Sequence, residues 1–261
     1  MILERDYRSL LGKAELEKLG FTRAQQRIPG ILIPLWGVDG KQTGYQYRPD
    51  NPRLDQRGRP VKYESPRGSG NRLDCPPHCQ RMLGDPGVPL WVTEGSKKAD
   101  SLASRGACSI SLAGVWGFKG RNELGGVTLL ADWDYIALKE RVVYLSFDSD
   151  VVTKGPVKKA LGRIAEHLRR REANVLAIRL PQPGDRKVGI DDYLLEHSLE
   201  DARRLAGELD GEESRTARSY RRPSGWLPSW RCGYPTRRSG CTAPTGAPMI
   251  FLWSITTVIR S

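Results

Sequence analysis

The sequence predicts an α/β fold in which a mostly parallel sheet flanked by helices follows a small β-rich lobe. The main observation is that short apolar runs alternate with segments of helical period from residue 90 to residue 181. These runs do not alternate between apolar and polar residues, as is typical of strands covered on both faces. Before residue 90, two strand-like runs instead flank Asp39-Gly40, which indicates a hairpin. A chain of 261 residues suits one main domain with a small attachment.

We divide the chain into four parts, of which the first two precede the main domain. Residues 1–24 are predicted to be an N-terminal helix, because leucines recur at helical spacing before a glycine stop at Gly20. Residues 25–89 are predicted to form the small β-rich lobe, whose hairpin lies in "GILIPLWGVDGKQTGYQYRPD". Within the loop-rich remainder of the lobe, "VKYESP" is the only further strand predicted.

The third part, residues 90–210, is the predicted α/β domain. It begins with the strand "LWVTEG", a helix with Ser96 as its N-cap, and the strand "ACSISLAGV", which together make a β-α-β unit. After a looser section, "RVVYLSF" is a strand, "GPVKKALGRIAEHLRRRE" a helix and "ANVLAIRLP" a further strand. The segments "VGIDDYLLEH" and "EDARRLAGEL" complete the domain.

The fourth part, residues 211–261, shows neither a helical nor a strand period before its final apolar run. Arg, Ser, Pro, Gly, Trp and Cys dominate it, which is typical of a basic, low-order tail. The alternative is that a disrupted coding frame produced this end of the chain.

The bulk composition favours a polyanionic partner. The net charge is +12, of which residues 211–261 contribute half through eight Arg and two Glu. The longest apolar stretch, 249–259, is shorter than the roughly 20 residues that a helix needs to cross a bilayer. The first residues also lack the apolar core of a secretory signal, so we expect a cytoplasmic protein with no membrane partner. The odd number of cysteines, five, in a chain without a secretory signal favours free thiols. Cys75 and Cys79 lack a second ligand pair at zinc-finger spacing, which disfavours a zinc site.

Acidic residues follow the predicted parallel strands. Glu94 follows the first strand, Asp148 and Asp150 follow "RVVYLSF", and the pair 191–192 follows the last strand after a short loop. Ligands bind at the carboxyl ends of such strands, and carboxylate oxygens suit Mg²⁺. Taken singly, each feature is also typical of a turn or a helix cap. Together, and without an adjacent basic partner, they favour a cation site, because clustered carboxylates repel one another.

These segments also carry a family resemblance. "VTEGSKKADSLASRG", "YLSFDSD" and "VGIDDYL" resemble the Toprim domain, the catalytic fold that bacterial replicative primases, type IA and II topoisomerases and some nucleases share. The sequence most resembles the Toprim-like domain of unknown function that phages, plasmids and integrative elements carry, often beside or fused to a replicative helicase. "GILIPLWGVDGKQTGYQYRPD" and "VKYESP" resemble the lobe that precedes the sheet in primases. The resemblance runs from about residue 25 to about residue 200.

The resemblance implies roles for individual residues. Glu94 would be the general acid/base or a carboxylate of the metal pocket, and Mg²⁺, with Mn²⁺ as an alternative, would be the cofactor. The implied metal ligands are Asp148 and Asp150, completed by Asp192 or its neighbour Asp191. The implied contacts to nucleotide, template backbone or phosphate are Arg48, Lys62, Tyr63, Lys97 and Lys98.

We therefore expect a primase-like Toprim protein of a mobile genetic element. It would bind single-stranded DNA and nucleoside triphosphates and carry out Mg²⁺-dependent nucleotidyl transfer in DNA replication, with a replicative helicase as partner. One alternative is a Toprim-type nuclease that cleaves phosphodiesters with the same carboxylates. The other is a DNA-binding accessory of a replicative helicase whose acidic site is inactive.

Overall fold

A computed structural model of the chain describes residues 2–121, 125–149, 155–182, 184 and 187–209. The predicted tail, 211–261, lies outside these residues, and so does Asp150. No helix of the described chain is long and apolar enough to cross a bilayer.

The N-terminal part is more varied than the single helix predicted for it. Helix α1 spans Ile2–Arg5, strand β1 spans Arg8–Leu10 and helix α2 spans Ala14–Lys18. The prediction is wrong because Leu10 is buried in a strand that pairs with the following sheet, whereas Leu11 is 79% exposed. The helical spacing of the leucines therefore does not correspond to one apolar face.

The lobe is a three-stranded antiparallel sheet in the order β1-β2-β3. Strands β2, Gly30–Trp36, and β3, Gln42–Pro49, form the predicted hairpin around Asp39-Gly40. The strand predicted for "VKYESP" is wrong, because its Glu64 makes only an isolated bridge with Tyr47. The core of the lobe is a small cluster of buried side chains: Leu10, Leu16, Phe21, Leu32 and Tyr47.

The predicted parallel sheet is confirmed. Strands β4 (Leu90–Glu94), β5 (Cys108–Leu112), β8 (Val142–Ser146) and β9 (Asn174–Ile178) are parallel, and the sheet order is β10-β9-β8-β4-β5. Strand β10, Ala206–Gly207, adds an antiparallel edge. Two helical segments and a hairpin interrupt the strand series: α3 (Pro77–Gln80), the β6–β7 hairpin (Lys119–Arg121 and Val127–Leu129), and a 3₁₀ helix (Ala131–Tyr135).

Helices cover both faces of the sheet. Helices α4 (Ser96–Ser104), α6 (Ile190–Glu196) and α7 (Leu199–Arg204) share a buried cluster with Trp91. Helix α5, Gly155–Arg170, packs its apolar stripe against the opposite face, which includes Leu90 and Val92. Ser96 is the first residue of α4 rather than its N-cap. Gly95 takes the N-cap position with φ 81°, a value that glycine adopts without strain and that turns the chain sharply out of β4.

A buried arginine connects the N-terminus to the sheet of the lobe and to α4. Arg5 is 1% exposed, forms ion pairs with Asp74 at 2.6 Å and with Asp100 of α4 at 2.8 Å, and donates a hydrogen bond to the carbonyl of Pro34. Tyr7 donates its hydroxyl hydrogen to Asp100. Burial alone would lower the pKa of Arg5, but the two carboxylates raise it above its usual value. Arg5 therefore carries a full charge that the fold neutralises internally.

The three cysteines in the described part of the chain are free thiols, as predicted, whereas Cys232 and Cys241 lie outside it. Cys75, Cys79 and Cys108 are buried and form no disulfide. Cys79 lies against Ser109, whose backbone N–H donates to the Cys79 sulfur at 3.3 Å. The "CPPHC" segment thus belongs to the core beneath the sheet.

Candidate functional site

The carboxyl ends of β4 and β8 lie side by side and form what we call the carboxyl edge. Thr93 of β4 pairs with Ser146 of β8, so the residues that follow them reach the same end of the sheet. Glu94 is the last residue of β4, and Asp148 comes two residues after β8. The prediction that acidic residues follow adjacent parallel strands is therefore confirmed for Glu94 and Asp148.

Asp148 is the most enclosed of these acids. It is 6% exposed and lies between two ammonium groups. Lys98 of α4 pairs with its Oδ1, and Lys187 Nζ lies 2.6 Å from its Oδ2. The expectation that the acids have no basic partner is wrong. The fold brings these lysines to Asp148 from positions distant in sequence, so inspection of its immediate neighbours misses them.

Asp191 belongs to the same group of charges. It lies in the first turn of α6, and Lys97 Nζ is 3.1 Å from its Oδ2. Lys97 and Lys98 lie in the first turn of α4, and each forms an ion pair with a carboxylate from a different segment. Three ammonium groups thus contact two carboxylates here, and Glu94 lies at the end of β4 at the same edge.

Gly189 allows these side chains to meet. A Cβ at this position would lie 2.5 Å from Asp191 Oδ1, 2.9 Å from Lys98 Cε and 3.2 Å from Asp148 Oδ1. A contact under 3.0 Å requires a neighbour to shift, so a larger residue here would displace the end of the Asp191 or Lys98 side chain. Both carboxylates and Lys98 therefore crowd around one backbone position.

Two hydrogen bonds fix the chain on either side of this position. The backbone N–H of Ser149 donates to the carbonyl of Val188 at 3.0 Å, and the N–H of Val188 donates to Ser149 Oγ at 3.0 Å. The segment after β8 is thereby held to the segment before α6. This pairing positions Asp148 next to Gly189.

The oxygen donors at this edge are of the type that Mg²⁺ takes, but the described carboxylates do not form by themselves a group that could hold a metal ion. Within the described residues, Asp148 Oδ1 and Asp191 Oδ1 are buried without a hydrogen bond, although Lys98 makes an ion pair with the former. The hydroxyls of Thr93, Ser96 and Ser146 are likewise buried without a hydrogen bond. Buried polar atoms are costly when they lack partners, and Mg²⁺ is commonly held by one or two carboxylates with waters. The described chain contains no group of three or more His, Cys, Asp or Glu that could hold a metal.

Two sequence comparisons match part of the chain. Residues 79–201 match the family model of a domain of unknown function, DUF3854. An uncharacterized protein of Picosynechococcus sp. is 29% identical over 196 residues, which cover 62% of this chain and 18% of that protein. The chain thus spans about a fifth of the length of this relative.

Solved primase structures resemble the chain more broadly. The zinc-binding and RNA polymerase domains of the Aquifex aeolicus primase align with a TM-score of 0.53 and 18% identity over 79% of this chain and 52% of that one. The DnaG primase catalytic domain bound to single-stranded DNA and the DnaG catalytic core give TM-scores of 0.53 and 0.55 at 15% identity, over 80% of this chain and 68% of each of theirs. The chain has a primase-like fold. At these identities the likeness concerns the fold alone.

Within this primase-like fold, the adjacent acids 191 and 192 have different positions. Asp192 is exposed, and its Oδ2 accepts a 3.4 Å hydrogen bond from the backbone N–H of Gly189, which caps α6. Asp191 is the one that lies beside Asp148. The alternative interpretation of the pair as a helix cap therefore suits Asp192, whereas the metal interpretation suits Asp191.

The residues predicted to contact nucleotide or template lie on two parts of the fold. Lys97 and Lys98 are at the carboxyl edge, whereas Arg48, Lys62 and Tyr63 are exposed on the lobe. Strand β3 brings the last three together, because Tyr47 of β3 exchanges two 2.8 Å backbone hydrogen bonds with Glu64.

Sequence reasoning missed three contributors to the site. Lys187, Gly189 and Ser149 hold, accommodate and position Asp148. One available signal was the glycine that directly precedes Ile190 and the two aspartates, because glycine is used where a backbone is approached closely. The Lys187 pair had no comparable local signal.

Proposed function

We propose that the chain is a primase-like Toprim protein of a mobile genetic element, active in the cytoplasm beside a replicative helicase. It binds single-stranded DNA and nucleoside triphosphates and transfers nucleotides in a Mg²⁺-dependent reaction. The observation that carries this proposal is the convergence of Asp148, Asp191 and three lysines at the carboxyl edge of a primase-like fold.

Asp148 and Asp191 would hold the metal, with Glu94 and Asp150 as further ligands or, for Glu94, as the general base. Bound Mg²⁺ supplies positive charge that offsets the charge of phosphoryl oxygens during transfer. The carboxylates themselves bind and orient, and Glu94 takes the proton of the attacking hydroxyl.

The lysines provide the phosphate-binding groups of this proposal. Lys97 and Lys187 have side chains that are 61% and 52% exposed, so their ammonium groups can leave a carboxylate for a phosphate without a large rearrangement. Lys98 is only 19% exposed and keeps Asp148 in place. Exposed cations also attract polyanions electrostatically.

Three observations support DNA as the macromolecular ligand. The chain has a net charge of +12, and Arg48, Lys62 and Tyr63 form an exposed basic and aromatic surface on the lobe. One protein of similar fold is a primase catalytic domain bound to single-stranded DNA. Basic side chains supply phosphate contacts, and exposed aromatic rings offer faces on which bases stack.

Incubation of the purified protein with a single-stranded template, labelled ribonucleotides and Mg²⁺ tests the proposal. Primer ladders are expected from the wild type and from Glu166→Gln, an exposed acid on α5 that serves as control, but not from Asp148→Asn. Shortened DNA without primers would instead identify a nuclease. Isothermal titration with Mg²⁺ gives a readout that does not depend on activity, and it should show binding to the wild type and the control only.

One observation favours a second candidate, a DNA-binding accessory that performs no chemistry. Both oxygens of Asp148 already lie against lysines, so this carboxylate is neutralised without a metal. If the wild type binds DNA, shows no Mg²⁺ binding and makes no product, and Asp148→Asn behaves identically, the accessory function replaces the catalytic one.

A further inference from the structure

A second basic surface lies around the β6–β7 hairpin, apart from the charged residues of the proposed catalytic site. A cavity of about 690 Å³ opens there, and its lining includes Asn71, Arg72, Trp116, Lys119 and Arg121. None of the lysines or aspartates that converge at Gly189 belongs to this lining. The feature thus calls for a role of its own.

The local backbone holds an aromatic ring and a cation together in this cavity. Gly117 donates its N–H to the carbonyl of Gly114 at 2.9 Å, and a Cβ on Gly117 would lie 2.6 Å from the backbone nitrogen of Ala113. This tight turn places Trp116 beside the hairpin, where Lys119 Nζ lies 4.2 Å from the centre of its ring. A cation is attracted to the face of an aromatic ring, so the Trp116 ring holds the Lys119 ammonium group without the help of a carboxylate.

Arg72 joins this cavity to a second one. Its Nη1 donates to Asp132 Oδ1 at 2.9 Å, and Asp132 is itself held by the backbone N–H of Leu73 at 2.7 Å. The smaller cavity, of about 200 Å³, is lined by Arg72, Asp132, Lys41 and Tyr135 among others. Arg72 remains 63% exposed despite its ion pair, so its guanidinium faces both cavities.

We call the two joined cavities the Arg72 groove. It carries four cationic residues, Arg72, Lys119, Arg121 and Lys41, against Asp132, which Arg72 neutralises, and Asp39. Aromatic rings lie in both halves: Trp116 is in the larger half, and Tyr135, 62% exposed, is in the smaller. Both halves of the groove therefore combine positive charge with an aromatic side chain.

We propose that the Arg72 groove binds single-stranded DNA. Cations that follow a groove contact successive phosphates, and aromatic rings beside them stack on bases irrespective of sequence. A duplex keeps its base faces stacked inside, so it could use the charges but not the exposed ring of Tyr135. Trp116 instead supports the cation, because Lys119 lies over its ring and Phe118 stacks beside it. The choice of DNA over RNA rests on the proposed function, whereas the preference for a single strand rests on the groove itself.

Fluorescence anisotropy with labelled dT20, in EDTA so that a metal site cannot contribute, tests the groove. Tyr135→Ala is expected to weaken binding about tenfold, the effect of losing one base–aromatic stack, whereas Tyr135→Phe keeps the ring and the affinity. Lys119→Gln with Arg121→Gln should reduce the slope of log K against log salt by about 1.4, since each phosphate contact on a single strand contributes about 0.7. The matched control, Lys18→Gln with Arg169→Gln, changes the net charge equally on exposed residues that line neither cavity, and it should leave the slope unchanged.

The possible outcomes separate this proposal from the proposed function. The proposal is supported if the groove variants bind dT20 more weakly than the wild type does and the control variant does not. If the wild type binds dT20 and the groove variants bind it with the same affinity as the control variant, the groove is rejected and the proposed function stands. Variant effects confined to rU20, or to a duplex of the same length, also overturn the proposal. Failure of the wild type to bind dT20 in EDTA overturns the groove, whereas failure to bind it with Mg²⁺ as well overturns both. Circular dichroism of each variant confirms that a lost affinity is not lost folding.

Discussion

Replacing Asp148 by asparagine removes a charge but keeps the size of the side chain that Lys98 and Lys187 hold. Removing one partner of a fully buried ion pair costs about 3–5 kcal/mol, because the other charge is left unpaired. Here the cost is smaller. The Lys98 side chain is 19% exposed, and Asp191 Oδ1 lies next to it across Gly189 and can accept its charge. Lys187 is 52% exposed, so its pair contributes at most about 1 kcal/mol. We expect a loss of about 2 kcal/mol in the free energy of unfolding.

Magnesium should change the result in a way that distinguishes a metal ligand from a structural ion pair. A ligand that binds only the folded state at 100 times its dissociation constant stabilises that state by about 2.7 kcal/mol. The wild type should gain a stabilisation of this order from saturating Mg²⁺, and Asp148→Asn should gain little. Urea unfolding with and without Mg²⁺ measures both effects. KCl at matched ionic strength controls for screening of the surface charges.

The control variant for this experiment is Glu166→Gln, which removes an exposed carboxylate that pairs with Arg170 on α5. It should lose less than about 1 kcal/mol and keep the full response to Mg²⁺. The reasoning is refuted if the wild type gains nothing from Mg²⁺, or if Asp148→Asn gains as much as the wild type does. A loss above about 4 kcal/mol without Mg²⁺ would show that Asp191 does not take over Lys98.

Three further predictions concern packing and titration. Arg5→Met should lower the free energy of unfolding by about 3–5 kcal/mol in urea, because it strands two carboxylates, and a loss below about 1 kcal/mol would contradict the internal neutralisation. Gly189→Ala should weaken Mg²⁺ binding in calorimetry, since its Cβ would lie 2.5 Å from a carboxylate oxygen. The control, Gly162→Ala, places its Cβ in open space on α5. It should stabilise the fold by up to about 1 kcal/mol and leave Mg²⁺ binding intact. Burial, reinforced by Arg170, lowers the pKa of His167, so the unfolded chain binds more protons than the folded one. The free energy of unfolding should therefore fall as the pH drops below about 6.5. His167→Gln should reduce this dependence in urea titrations between pH 5 and 7.5.

The elements that sequence reasoning predicted well are those whose signal is local. The β4-α4-β5 unit and helix α5 were correct because their apolar runs, helical stripe and glycine stops each lie within one element. Strand β1 was missed because its structure depends on pairing with β2, which begins 20 residues later than Leu10. The β6–β7 hairpin has strands of only three residues and no run long enough to show a period.

The same distinction applies to the candidate site. The position of Asp148 at a strand end could be inferred from "RVVYLSFDSD", because the strand and the acid are neighbours in sequence. Its two lysine partners could not, since Lys98 reaches it from α4 and Lys187 from the loop before α6. Nor could the network around Arg5, which joins residues up to 95 positions apart.

The lysines change how the acids at the carboxyl edge should be understood. Carboxylates without partners would require a cation to be stable, so their presence alone would argue for a metal. With Lys98 and Lys187 against Asp148, the edge is stable without one, and a metal must displace at least one ammonium group. A displaced lysine is then free to bind a phosphate of the incoming nucleotide. A metal that takes Asp148 releases a lysine for the phosphate, and a phosphate that takes the lysine leaves Asp148 to the metal. Binding of metal and binding of nucleotide should therefore favour each other at this edge.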